Sequence, residues 1–145
     1  YMTRLLDART SQNASIANSI SIPITILSAP GLFGQVGLNV PGATGPIRTQ
    51  LSGTVACQLP LLPTATTITI TIVRGTALTD PIIYSSSEAL NINLLGPQLF
   101  TFTASDFNVP PPASGLLIYT AFIGSNVLGT VRVGPESFNA IAYSG

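Results

Sequence analysis

The sequence predicts an all-β fold: an antiparallel jelly-roll sandwich of about eight to ten short strands with an N-terminal extension. Three observations lead there. Apolar residues recur at every second position through most of the chain, the period of a strand with one buried face. These runs are separated by Gly-, Pro- and Ser-rich breaks at roughly 8–12-residue spacing, as in sandwiches and barrels. Beyond residue 18 neither a βαβ alternation nor a 3.6-residue period is found, which leaves the jelly roll as the best fit to strand number and length.

The first strand is expected where Ile20, Ile22, Ile24 and Ile26 alternate with Ser, Pro and Thr. Pro23 cannot donate to a ladder, so this strand belongs at an edge. After the Ala29-Pro30-Gly31 turn, Leu32, Val36, Leu38 and Val40 mark a second strand, and residues 41–46 break it. Ile47, Thr49, Leu51, Gly53 and Val55 then oppose Arg48, Gln50, Ser52 and Thr54, an apolar-in, polar-out strand. Residues 59–63, with two prolines, read as a loop. Ile68, Ile70 and Ile72 alternate with Thr67, Thr69 and Thr71, and such β-branched density strongly favours a strand.

Weaker strands are expected at 82–85 and 90–94, and another at 99–104 with Phe100 and Phe102 on one face. Three consecutive prolines make 106–115 a loop. Residues 116–123 are apolar on both faces, which fits a central strand covered on both sides. Gly124 and Gly129 flank Ser125-Asn126 as a hairpin turn. Strands at 127–133 and 138–143, parted by Gly134-Pro135, close the domain. Leu51, Val55, Ile68, Ile70, Ile72, Phe100, Phe102 and Tyr119 are the expected core.

Residues 1–18 differ from the rest, so the chain divides into an N-terminal connector arm (1–18) and a jelly-roll domain (19–145). The arm lacks the strand period and mixes charged Arg4, Asp7 and Arg9 with apolar Met2, Leu5, Leu6 and Ile16. Terminal segments order only against something. The expected partner is another subunit, with the apolar side chains filling pockets and the charges setting register. Packing back on its own domain is the alternative.

At 145 residues the chain is long enough to bury a core. Its charge content is unusual: 7% against about a quarter in ordinary soluble domains. Hydrophobic residues make up 46% and the formal net charge is zero. So neutral a surface associates or precipitates when left bare, and cover by neighbouring subunits resolves this. Five scattered Arg balanced by five acids give no electrostatic footprint for nucleic acid. The apolar runs fall short of a membrane helix. An outer-membrane barrel is disfavoured by the lack of Trp for interfacial girdles and by frequent prolines. The opening Tyr1 is compatible with processing of a leader.

The residue inventory offers little chemistry. Without His there is no Ser-His-Asp triad, Cys-His pair or His-based metal site. Among the acids, Asp80, Glu88, Asp106 and Glu136 show no spacing that pairs two carboxylates for glycosidase chemistry. Asp80 and Asp106 read as turn residues, and no calcium-loop pattern is present. Cys57 shares the parity of Leu51, Gly53 and Val55 and is expected to be a buried, inert thiol, with an intersubunit disulfide as the alternative. Asn13-Ala14-Ser15 is a formal glycosylation triplet. No enzymatic activity, cofactor or metal is expected.

Several segments carry a resemblance. Residues 48–55 (RTQLSGTV) and 68–76 (ITITIVRGT) are similar to the L-x-G-T-V and I-x-R-x-G-T patterns of spore-surface proteins. Phe100-Thr101-Phe102-Thr103, Asp106, the 112–115 stretch before Tyr119, and 133–138 with 142–144 are similar too. The chain over 20–145 thus resembles exosporium and endospore-appendage proteins, whose jelly rolls resemble tumour necrosis factor domains. The resemblance implies a homotrimer on a cell or spore surface, joined through its N-terminal segment to a fibre or to an anchoring spore-coat or exosporium protein. The collagen-like Gly-X-Y tract usual in that family is absent from this sequence. The expected function is a structural subunit that self-assembles into an extracellular fibre or surface appendage, head-to-tail through the arm. An adhesive or ligand-binding tip module and a viral or phage shell jelly roll are the alternatives.

Overall fold

Alternating apolar positions leave each strand with one face to bury, and two stacked sheets satisfy all of them. A computed structural model describes residues 3–145 as nine strands: β1 (Arg4–Ala14), β2 (Ile22–Pro23), β3 (Gly31–Asn39), β4 (Ile47–Gln58), β5 (Thr67–Arg74), β6 (Ile82–Ala89), β7 (Gln98–Val109), β8 (Leu116–Ser125) and β9 (Val131–Ser144). One sheet runs β1-β9-β4-β7, with the short β2 also on β9; the other runs β3-β8-β5-β6. The eight long strands form four antiparallel pairs, β1 with β9, β3 with β8, β4 with β7 and β5 with β6. A long hairpin wound on itself gives this order, and the fold is a jelly roll.

The core lies between the sheets, and all eight residues expected there are buried. Phe102 sits near its centre, edge-on to Phe33 with ring centroids 6.2 Å apart and stacked on Tyr84 at 5.9 Å. Such pairs add attraction beyond area burial. Two glycines make room for the rings. A Cβ at Gly53 would run into the Phe102 ring and the Ser137 carbonyl, and one at Gly34 into Phe138.

Several elements depart from the sequence reading, each for a local reason. The strand expected from Ile20 shrinks to Ile22–Pro23, beside Arg132 and Val131 of β9. In β3 a register shift between Leu32 and Gly34 turns Leu32 outward and brings Phe33 into the core. A one-residue slip exchanges faces in this way. Residues 90–94 are a turn, in which Leu94 N–H donates to the Asn91 carbonyl and Asn93 N–H to the Asn91 side chain. β7 runs through Asp106 to Val109, so the loop begins only at the prolines.

The two closing strands are one, β9, because 133–135 are accommodated as a bulge where the β4 partner steps from Glu136 to Arg132. Proline inside a sheet is tolerated at such points. Residues 126–130 join strands of different sheets, so they are a crossover and not a hairpin turn. β8 is central, as its two apolar faces imply.

Candidate assembly surfaces

The arm is the first candidate, and the structure gives most of it a place in its own domain. Residues 4–14 are β1, paired along β9 from Arg4–Ser144 to Ala14–Glu136. Its other edge is latched to β3 by side chains. The Asp7 carboxylate accepts from Asn39 N–H at 2.7 Å, the Ser11 hydroxyl from Gln35 N–H at 3.3 Å, and the Asn13 amide donates to the Phe33 carbonyl at 3.1 Å. The Asn39 N–H and then Arg9, which donates from 3.0 Å, hold the Asp7 carboxyl below its ordinary range. Two register shifts, at Leu5/Asp7 and Gln12/Ala14, hide the period that would have announced a strand. Leu6 packs on the core, Leu5 and Ile16 are exposed, and Met2 lies outside the described residues. The Asn13 amide also binds Glu136 at 2.8 Å, so the formal glycosylation site is engaged internally.

Four charged residues are withdrawn into two polar networks. Arg74 on β5 donates to both carboxylate oxygens of Asp106 on β7, each at 2.8 Å. The Tyr119 hydroxyl on β8 donates to the same carboxylate at 2.8 Å and lies 3.0 Å from the Thr49 hydroxyl on β4. This fork joins the two sheets across the core edge. Hydrogen bonding to the carboxylate raises the Arg74 pKa further, and burial raises that of Tyr119. Asp106, expected in a turn, is the buried centre of this group. The second network pairs Arg132 with Glu136, both within β9, through two bonds of 2.9 and 2.8 Å, with Glu136 fully buried. Neither group was legible beforehand, because each joins residues from distant stretches or across an unforeseen bulge. Asp80 is engaged as well, accepting from the Thr76 and Ala77 N–H groups at 2.9 Å.

With these withdrawn, few exposed charges remain. Arg9 is paired with Asp7. Arg4 donates to the Gly42 carbonyl and Arg48 to the Thr3 hydroxyl, both at 3.3 Å. Arg4 and Arg48 lie at one end of the sandwich, beside Ser144 and Tyr143. Glu88 lies toward the other end, where β6 meets Ile68 of β5. Cys57 is also there, fully buried, its thiol pushed up to about 12 by desolvation.

The two ends differ in kind. At the Glu88 end, residues 15–21, 24–30, 59–66, 90–97 and 126–130 contain no Asp, Glu, Lys or Arg. They present Leu61, Leu62, Leu95 and Leu128 to solvent, 96%, 92%, 91% and 70% exposed. At the Arg48 end, Pro110, Pro111, Pro112 and Leu116 help to line a largely apolar pocket of about 360 Å³. The outer face of the β1-β9-β4-β7 sheet carries two shallow depressions, of about 370 and 300 Å³, lined mainly by neutral polar residues such as Gln50 and Ser105.

No family model and no curated protein matches the chain. Similar solved structures include the T13 infectious bursal disease virus particle, which aligns with 98% of this chain at 9% identity and a TM-score of 0.47. The chain spans 35% of that protein's length. An arabinose-bound α-L-arabinofuranosidase aligns with 98% of the chain at 12% identity and a TM-score of 0.41, over 23% of its own length. The cowpea mosaic virus top component aligns with 98% at 10% identity and a TM-score of 0.34, over 85% of its length.

Proposed function

We propose that this jelly roll is a structural subunit that assembles with copies of itself into an extracellular fibre or surface appendage. One observation carries this reading. Four of the ten charged residues are tied into two paired networks, three of them buried and Arg74 partly so, which leaves six others on the surface, two of them paired with each other. A surface of 7571 Å² with so little charge favours contact with other protein over water. Large exposed aliphatic residues at the loops support it further. The resemblance to spore-surface proteins adds a cyclic trimer as the unit and a spore or cell surface as its location.

Sedimentation velocity and electron microscopy of the purified protein test the reading. Concentration-dependent growth into regular particles is the expected result, and fibres are distinguished by eye from closed shells or isolated trimers. A monodisperse monomer at all concentrations up to solubility overturns the proposal.

A further inference from the structure

We infer that copies of this chain stack head-to-tail along the strand direction, the leucine-bearing end of one docking on the proline-walled end of the next. The inference rests on the self-assembly reading above and supplies its contact.

Exposed apolar residues are common singly, but a contiguous patch of several hundred Å² on a protein surface marks an interaction site. Leu61 and Leu62 cap the β4–β5 loop, Leu95 the β6–β7 loop and Leu128 the β8–β9 loop. The register places all three loops at one end, where Ile68 of β5 meets Glu88 and Ser125, and Cys57 of β4 meets Gln98 and Arg132. The four leucines alone offer on the order of 400 Å² of aliphatic surface. Partly exposed Ile26, Leu27, Ile92 and Leu94 lie in loops of the same end and extend the patch.

A second copy is the occupant that the rest of the molecule fits. The pocket of about 360 Å³ at the opposite end has Pro110, Pro111, Pro112 and Leu116 in its wall beside the Asp106-paired Arg74, and its largely apolar lining can accept aliphatic side chains. Charge points the same way. Arg4 and Arg48, which bond no carboxylate, stand at the pocket end together with Asp80, whose carboxylate is taken up by the Thr76 and Ala77 N–H groups, so that end keeps a net positive charge, and Glu88 toward the leucine end has no cation bonded to it among the described residues. Head-to-tail stacking brings these opposite signs toward each other, whereas joining two leucine ends sets Glu88 against Glu88. A bilayer suits the patch poorly, since the five loops carry neither Lys or Arg for anionic headgroups nor Trp or Tyr for the interface. A contact between two different patches does not close on itself unless a rotation makes it a ring, so repetition gives a filament.

Two variants test the contact. Leu61→Asp with Leu62→Asp spoils the leucine end at positions nearly fully exposed, where folding has little at stake. Leu116→Asp places a charge in the wall of the pocket. Each variant, verified as folded by circular dichroism, is expected to lose elongation by at least tenfold in sedimentation velocity. Mixed in equal amounts after separate purification, the two are expected to form joined pairs of units and nothing longer, since one good end of each kind remains. Undiminished growth of the Leu61/Leu62 variant overturns the inference. Wild-type growth by Leu116→Asp overturns it, because the pocket end is then not the docking face, and a wild type that stops at pairs overturns it in favour of leucine ends meeting each other. Flotation of the wild type with neutral phosphatidylcholine vesicles, lost in the Leu61/Leu62 variant, overturns it in favour of a membrane. In each of these cases the wild type still assembles or binds. A wild type that remains monomeric and free of vesicles instead removes the self-assembly reading itself.

Discussion

Asp106 shows how much one side chain can hold together. It accepts two bonds from Arg74 and one from Tyr119, so three strands meet at its carboxylate. Asp106→Ala leaves the guanidinium without its carboxylate and the buried phenol with the Thr49 hydroxyl alone, and breaking a buried pair by removing one partner costs about 3–5 kcal/mol. The arginine is partly solvated, so the lower part of that range is expected in a denaturant titration. Cys57 makes the opposite kind of prediction, of inertness. With its thiol protonated up to about 12, it should resist alkylation at pH 8 in the folded protein and react once the protein is unfolded. The pH dependence follows in sign. A folded-state pKa raised above the unfolded one favours folding at low pH, and this contribution fades above about pH 9, as the unfolded thiol ionises. Tyr119, raised also, acts in the same direction. The melting temperature should therefore decline above about pH 9.

At the scale of elements, the legibility of each strand followed its burial. β5 and β8 sit inside their sheet, and the alternation of Ile68, Ile70 and Ile72 or the apolar run of 116–123 announced them directly. β1 is an edge strand with two register shifts, so its period is broken and residues 1–18 read as a separate arm. Gly134-Pro135 looked like a break because local turn chemistry gives no hint of a bulge held by the long β4 partner. The charged networks were hidden for a related reason, since side chains on distant strands meet only after the roll closes. The leucine end was hidden in loops, where residues such as Leu61 and Leu95 have no period to read. These elements predict the outcome of truncation. Deleting residues 1–18 removes β1, uncovers the β9 and β3 edges, and strands Glu136 without Asn13. Thermal melts should show a large loss of stability or of cooperative folding. A truncated protein as stable as the full chain would mean that β1 contributes nothing to the domain.

For the whole molecule, assembly should be indifferent to pH between about 5 and 8. There is no His to titrate in that window. Asp7, whose carboxyl is held below its ordinary range, keeps the β1–β3 latch charged there; its contribution is lost only as pH falls through the acid range below about 4. Salt should act through hydration more than screening. Few exposed charges are available to screen, so roughly 1 M sodium chloride should leave assemblies intact, while sulfate should promote them. Light scattering across both series checks this, and dissolution in chloride alone would show that ionic contacts dominate the joints.

The pairing of β1 with β9 sets Arg4 beside Ser144, so the first and last strands are neighbours. A ribosome delivers these strands at opposite times. Until β9 has emerged, β1 has no ladder to join and the β1-β9-β4-β7 sheet lacks the strand that links β1 to β4. Closure of the roll is thus a late event that depends on contacts far apart in sequence, a type that forms slowly. The leucine end is presented as one surface only after closure, because loops from the middle and the end of the chain contribute to it together. In the head-to-tail stacking proposed above, a chain that has not yet added β9 offers no complete leucine end, so folding of the roll precedes docking.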